Sequence, residues 1–473
     1  MFHCREEERN TMQRLYEKDR FACVILYGRR RVGKTALINE FCRDKPTIFF
    51  SALNATAQEN LEELSRSIRT YENPLSDAAP IYESYPQALD AVTALSQNQR
   101  LIFVIDEYPY LAKAEPSISS RLQHLIDHVW QESRIYVILC GSSMSFMEHQ
   151  VLGYESPLYG RRTAQIRLQP LTYRETALFC PELGPEDQAL LYGVTGGIPH
   201  YINMLDVEDN LDEALLENLF HPAGYLFEEP QNLLKQELRE PALYNSIISA
   251  VAGGASRLNE IATKVALESG ICSKYLYVLM SLGILRKETP IAEKPGRKTL
   301  YGIEDNFFRF WYRFVPRNMS LISSGRIREV YDRAIRPYYA DYMGLIFEKM
   351  CREYLMRYAR DLPFVLREVG QWWGTDPKAR REVQIDIVGL PVEGDRILIG
   401  SCKYRSRPAG EDELELMKYY ARVFRPEGCF CYYIFSKGGF TKGLREKERN
   451  GEVRLVTLEE MYEQNDSRRN EAG

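Results

Sequence analysis

Residues 21–41 read "FACVILYGRRRVGKTALINEF". An unbroken apolar run meets a glycine-bounded basic loop, and an amphipathic run follows. The loop "GRRRVGKT" (28–35) fits G-x-x-x-x-G-K-[ST] at every fixed position. It stands directly between a strand pattern and a helix pattern, the context that separates a phosphate-binding loop from a chance match. Gly28 and Gly33 permit backbone angles that turn amide hydrogens inward onto phosphate. Arg29, Arg30, Arg31 and Val32 fill the loop between them, and Ala36 follows it. The helix N-terminus adds its positive end. Lys34 is in reach of β- and γ-phosphates, and the Thr35 hydroxyl suits magnesium. Residues 28–36 are therefore the expected nucleotide-binding set, with Mg2+ beside it.

Further apolar runs follow at "TIFFSAL" (47–53), "LIFVID" (101–106), "IYVILC" (135–140) and "AQIRLQPL" (164–171), with helical patterns between them. Strands alternating with helices imply a parallel sheet covered on both faces. Runs that are apolar throughout, rather than alternating, suit buried parallel strands. "LIFVIDEYPYL" delivers Asp106 to the loop's edge of the sheet as a magnesium ligand, and Glu107 as the base for an attacking water. "VILCGSSMSF" ends a strand in Ser142 and Ser143. One of the two, with Ser142 carried into the catalytic set, is expected to sense a γ-phosphate. In "SPLYGRRTAQIRLQPL", Arg161 and Arg162 precede the last strand of the sheet. They read either as transition-state cations, in this chain or across to a neighbour, or as surface arginines. No NKxD-like guanine signature follows the core strands, which favours ATP.

These motifs, with "TGGIPHYI" (195–202), resemble the archaeal-type P-loop ATPases of the AAA+/STAND assemblage. The resemblance implies a helical lid after the core, in which Gly197, Ile198 and Pro199 approach the nucleotide. His200 stands near the place where such lids often carry an arginine, a departure that favours the STAND-like reading. The expected domains are an ATPase core at 1–171, a helical lid at 172–238, a winged helix at 239–305 and a C-terminal domain at 306–473.

The winged-helix expectation rests on three short helical patterns within 241–288, followed by a hairpin pattern with Pro295 and Gly296 at its tip. Lys274 is the base of the recognition-helix position, and Lys294, Arg297 and Lys298 those of the wing. DNA docking and protein contact both fit. In the last third, the resemblance implies a fold of the PD-(D/E)xK restriction-endonuclease type. A long helical pattern from 339 to 360 carries Glu348, "EVQIDIVG" presents Asp386, and "GSCKYR" presents Lys403. Two such acids and a lysine can hold magnesium beside a scissile phosphate. Ser401 departs from the pattern, because an uncharged hydroxyl is a poor magnesium ligand where an acid is expected. Either Glu348, Glu368 or Glu382 supplies the missing charge, or the domain binds without cleaving. Aromatic and basic residues in "GQWWGTDPKARREVQ" and "KYRSRP" suit a nucleic-acid backbone or an ordinary surface equally. His124 and His128 in "HLIDH" have a zinc-compatible spacing but no evident third ligand.

The bulk numbers bound the rest. The chain has 473 residues, 45% apolar and 27% charged, with net charge −5. Several soluble domains fit this length, and any DNA surface must be a local patch. Ten cysteines include no CxxC pair, and "MFHCREEERN" has no apolar leader run. Reduced thiols and a cytoplasmic location without a membrane span are expected. The sequence thus specifies an α/β ATP hydrolase using Mg2+. Its later modules would meet DNA, a protein partner or a second copy under nucleotide control, or cut DNA under that control.

Overall fold

A computed structural model describes residues 3–73, 81–207, 210–294, 296 and 298–463. Arg297 of the expected wing lies outside them. The chain forms two compact units. One holds the residues through Leu171 together with Ile198–His200; the other holds Thr172–Gly197 and the chain from Tyr201 onward.

The first unit is built on five parallel strands: β1 (Ala22–Tyr27), β2 (Thr47–Ser51), β3 (Ile102–Asp106), β4 (Tyr136–Gly141) and β5 (Ala164–Arg167). Their order is β2-β3-β4-β1-β5. Neighbouring parallel strands need crossovers, and helices such as Lys34–Cys42 and Ala57–Glu72 supply them. All residues of β1, β3 and β4 are buried, which is why these runs carry no polar alternation. β2, at the edge, buries only Ile48 and Phe50. β5 stops sooner than its apolar run, because Pro170 has no N–H for a ladder. Leu168 N–H still donates to Tyr27 O at 2.7 Å. The strand order puts β4 between β1 and β3. The loop after β1, the acids ending β3 and the serine after β4 therefore share one edge of the sheet, where open α/β sheets bind ligands.

In the second unit, three helices (Pro241–Ala252, Leu258–Lys264 and Ser269–Ser281) precede an antiparallel pair, β6 (Leu285–Glu288) and β7 (Leu300–Ile303). The link between these strands is not a free tip. Ile291 N–H donates to Gln371 O at 2.8 Å, and Trp373 Nε1 donates to Lys298 O at 3.2 Å. Ile291 is buried in the core of the C-terminal sheet with Trp372, Val383 and Ile399. The unit continues across 238/239 and 305/306 as one compact body.

That sheet contains β8 (Leu366–Asp376), β9 (Arg381–Pro391), β10 (Arg396–Lys403), β11 (Cys429–Ser436) and β12 (Arg454–Thr457), in the order β12-β11-β10-β9-β8. β8, β9 and β10 run antiparallel, while β10, β11 and β12 run parallel. The helix Tyr339–Arg357 precedes the sheet, and Glu411–Phe424 crosses from β10 to β11. β8 escaped the sequence reading. Two register shifts, at Leu366/Glu368 and Gly370/Trp372, break its two-residue alternation. All ten cysteines are free thiols. Among the described residues no helix is long and apolar enough to cross a membrane.

Candidate nucleotide site

The glycine-rich loop adopts the backbone its sequence requires. Gly33 sits at φ 94°, a conformation that side chains strain to reach, and the helix Lys34–Cys42 starts immediately after it. Gly28 has a different reason: a Cβ there would lie 2.5 Å from Leu168 O. Lys34 is buried and its Nζ donates to Gly28 O and Arg29 O, each at 3.0 Å. Burial pulls its ammonium below the ordinary lysine value, while Cys140, Glu107 and Asp106 oppose the shift. Arg30 donates to the Tyr110 hydroxyl at 2.5 Å. Arg29 and Arg31 are half-buried, Val32 is buried, and Thr35 and Ala36 are exposed.

At the end of β3, buried Asp106 accepts the Thr35 hydroxyl at 2.8 Å through Oδ2 and the Glu107 amide at 2.9 Å through Oδ1. Thr35 and Asp106 thus meet as oxygen donors at the helix N-terminus, a donor set that suits a hard divalent cation. Glu107 has φ 50°, an unusual backbone for a residue with a side chain. Its Oε2 accepts Ser142 Oγ at 2.8 Å and Ser142 N–H at 3.4 Å. Of the two serines, Ser142 is the one that reaches Glu107.

The two arginines before β5 separate. Arg161 forms a fork on Asp127, with Nε to Oδ1 and NH2 to Oδ2 both at 2.7 Å, and donates to Pro157 O and Tyr159 O. This fork holds the Arg161 guanidinium on Asp127. Arg162 is exposed. Pro199 packs beside the loop: a Cβ on Gly33 would meet its Cγ at 3.9 Å. Arg5 escaped the sequence reading. It is buried and donates to Val32 O at 3.3 Å and Gln169 O at 2.6 Å, bracing the loop from the N-terminus. A lone arginine in an acidic run carries no sequence signal of that role.

In the second unit, the helix Tyr339–Arg357, β9 and β10 gather a second group of side chains. Glu348 accepts from Gln371 Nε2 and lies 3.8 Å from Arg352 NH1. Asp386 Oδ2 accepts Cys402 N–H at 2.9 Å and Ser401 Oγ at 3.4 Å. Burial pushes both carboxyls above their ordinary range, and the charge of Asp386 adds to the shift on Glu348. Lys403 Nζ is 3.0 Å from Glu413 Oε2, and Arg405 NH2 is 2.8 Å from Glu413 Oε1. Glu413, buried on the helix Glu411–Phe424, is the acid that meets this lysine, and sequence reading missed it. Glu368 and Glu382, the alternative sources of the missing charge, are exposed. The His124 and His128 rings lie 4.7 Å apart, and among the described residues no group of three His, Cys, Asp or Glu side chains is arranged to hold a metal.

Residues 2–205 match a family described as an ATPase domain predominantly from Archaea, and residues 311–415 one described as archaeal and bacterial proteins of unknown function. An uncharacterised protein of Methanocaldococcus jannaschii is 29% identical over 468 residues, covering 98% of this chain and all of that one. An uncharacterised ATP-binding protein of the same organism is 47% identical over 45 residues, 10% of this chain and 76% of that one. Among solved structures, a Walker-type ATPase of Pyrococcus abyssi superposes with a TM-score of 0.51 at 19% identity, over 66% of this chain and 96% of that one. At that identity the last likeness speaks for the fold alone.

Proposed function

Because the chain is an archaeal-type P-loop ATPase carrying a C-terminal domain of unknown function, we propose that it hydrolyses ATP with magnesium and that the nucleotide sets the state of the modules after the core. The observation that carries the chemistry is the chain of contacts Thr35–Asp106–Glu107–Ser142 beside Lys34. Lys34 and the loop amides bind phosphate. Thr35 and Asp106 would hold a magnesium ion, which would supply positive charge to the phosphates. Glu107 takes the proton of the attacking water, held in place by Ser142. Arg162, exposed just before β5, suits a second copy of the chain as its partner.

The switch reading is supported by Ile198–His200, which belong to the first unit although the chain on both sides belongs to the second. A nucleotide that moves Pro199 acts on the second unit through the backbone. We read the three helices and hairpin at 241–303 as a winged helix. With its link held by β8, it suits a protein contact better than a wing laid in DNA. Hydrogen exchange in the presence of ATP and of ADP tests the switch: protection must change within residues 201–463, and identical protection sinks it.

Glu348, whose carboxyl is raised by burial and by the charge of Asp386, supports a second reading, an ATP-controlled nuclease. Against it stand the pairing of Lys403 with Glu413 and the hydroxyl of Ser401. Linear, supercoiled and branched DNA incubated with magnesium or manganese, with and without ATP, decides. Cleavage lost in Lys403→Ala establishes the nuclease, and intact DNA throughout leaves a binding domain.

A further inference from the structure

The helix Pro185–Thr195 ends shortly before Ile198–His200, the segment that belongs to the first unit. Two glycines in succession, Gly196 at φ 64° and Gly197 at φ 69°, turn the chain out of it. Gly196 N–H returns to Tyr192 O at 2.8 Å, as a helix-ending glycine does. The carbonyls after Tyr192 then lack intrahelical donors. Gly193, Val194 and Thr195 are buried, so donors for this end must come from elsewhere in the fold.

They come from far along the chain. Tyr342 Oη donates to Gly193 O at 2.6 Å and, less closely, to Asn306 O at 3.0 Å. Asn306 Nδ2 donates to Tyr192 O at 3.4 Å. Both residues are buried. The Tyr342 ring packs on Phe310 and Phe314, with centroids 5.2 and 5.8 Å away, so the core aims its hydroxyl. The helices that carry Asn306 and Tyr342 lie close on this end. A Cβ on Gly193 would lie 2.6 Å from Met343 Sδ, and one on Gly196 would lie 3.5 Å from Asn306 N. The start of the same stretch is fastened too. Tyr173 Oη and Arg174 Nε both donate to Met461 O, at 2.8 and 2.6 Å. Residues 172–197 are thus held near both ends by the chain after 305, all within the second unit.

Past Gly197 the chain enters the first unit, where Pro199 is seated against Gly33. A pair of glycines is conformationally permissive, so it transmits a direction only when the helix end before it is fixed. We propose that Tyr342 and Asn306 are positioning residues for nucleotide binding: by capping the helix Pro185–Thr195 they fix where the chain departs for Pro199 and so hold Pro199 on the phosphate loop. The proposal rests on the ATP reading and deepens it. Tyr342 lies in the stretch 311–415 that matches proteins of unknown function, and this cap is the contact through which that stretch acts on the nucleotide. Both residues act through the backbone of 192–199.

Steady-state ATP hydrolysis with magnesium, binding of a slowly hydrolysed ATP analogue, and hydrogen exchange without nucleotide test it on the full chain. Wild type, Tyr342→Phe, Asn306→Ala and Ile291→Ala are compared. Tyr342→Phe keeps the ring and removes only the hydroxyl. Asn306→Ala removes the second donor and carries the same reading should Tyr342→Phe not fold. KM for ATP is expected to rise about fivefold in each, the effect of one lost hydrogen bond, with matching weakening of the analogue. Because Glu107 and Ser142 are untouched, kcat should stay within about twofold of wild type. Exchange should quicken at residues 196–200 in both variants. Ile291→Ala loosens the second unit away from this helix and should leave KM unchanged. An unchanged KM in Tyr342→Phe overturns the proposal. So does an equal rise in Ile291→Ala, which would make the effect one of general loosening. A wild-type chain that neither binds the analogue nor turns over ATP refutes the ATP reading and this proposal with it, whereas normal wild-type turnover with unchanged KM in the variants refutes this proposal alone.

Discussion

Ser142 Oγ donates to Glu107 Oε2 at 2.8 Å, joining the residue after β4 to the residue after β3. The contact exists because β4 lies between β1 and β3, so the two strand ends are neighbours at the nucleotide edge of the sheet. A carboxylate on a left-handed backbone needs a partner to fix its direction, and Ser142 is that partner.

Ser142→Ala removes the partner without touching phosphate-binding groups. We expect kcat for ATP to fall about tenfold with KM little changed, because a misdirected base costs only the chemical step. The double variant with Glu107→Gln should be no slower than Glu107→Gln alone, since Ser142 acts through Glu107. Additive losses in steady-state kinetics would assign Ser142 an independent contact with the nucleotide.

Gly28→Ala tests the loop's fit to the segment after β5. The new methyl meets Leu168 O at 2.5 Å, and both atoms are attached to backbone. Overpacking of this kind costs about 1–3 kcal/mol. A lower melting temperature together with weakened nucleotide binding is expected. Calorimetry showing an unchanged melting temperature would contradict that contact.

Burial pushes Glu353, on the helix Tyr339–Arg357, up to about 7, well above the ordinary carboxylate range. A raised carboxyl favours the protonated form in the folded state. Its stabilising contribution is therefore complete below about pH 4.5 and is lost as pH rises through 7. Wild type should lose a few degrees of melting temperature between about pH 6 and 8 from this group. Glu353→Gln, neutral throughout, should lose less. Parallel melting curves for the two proteins across that range would show that Glu353 titrates normally.

Glu413 neutralises Lys403 and Arg405 together. Glu413→Gln leaves two cations facing an uncharged amide and should cost about 2 kcal/mol, below the figure for a fully buried pair because Arg405 is partly open to water. Urea unfolding followed by fluorescence measures it. A neutral result would mean that the cations are satisfied elsewhere.

Ile291 anchors the β6–β7 link in the C-terminal core. Ile291→Ala should destabilise the second unit by about 2–4 kcal/mol. It should also raise hydrogen exchange around residues 289–299. Unchanged exchange there would mean that the link is held by other contacts.

What could be read from the sequence was local. The loop 28–35, the strand ending in Asp106 and Glu107 and the long helix bearing Glu348 each declare themselves within one element, through spacing or periodicity. Contacts across elements did not. Ser142 and Ser143 are equivalent in sequence, and only the path of the chain after β4 separates them. Arg161 and Arg162 differ because Asp127, more than thirty residues earlier, folds against one of them. Glu413 lies on a helix with its own acidic first turn, where a capping role disguises its bond to Lys403. The β6–β7 link looked like a free wing because its partner, β8, has a broken alternation.

The central claim is that Glu107 activates water at a site where Lys34 holds ATP. Phosphate release from ATP with magnesium, measured for wild type and Glu107→Gln beside their nucleotide affinities, tests it most directly. The account predicts wild-type turnover and a loss of about 100-fold or more in Glu107→Gln, with ATP binding retained. Undiminished turnover in Glu107→Gln, or none in the wild-type chain, would contradict it.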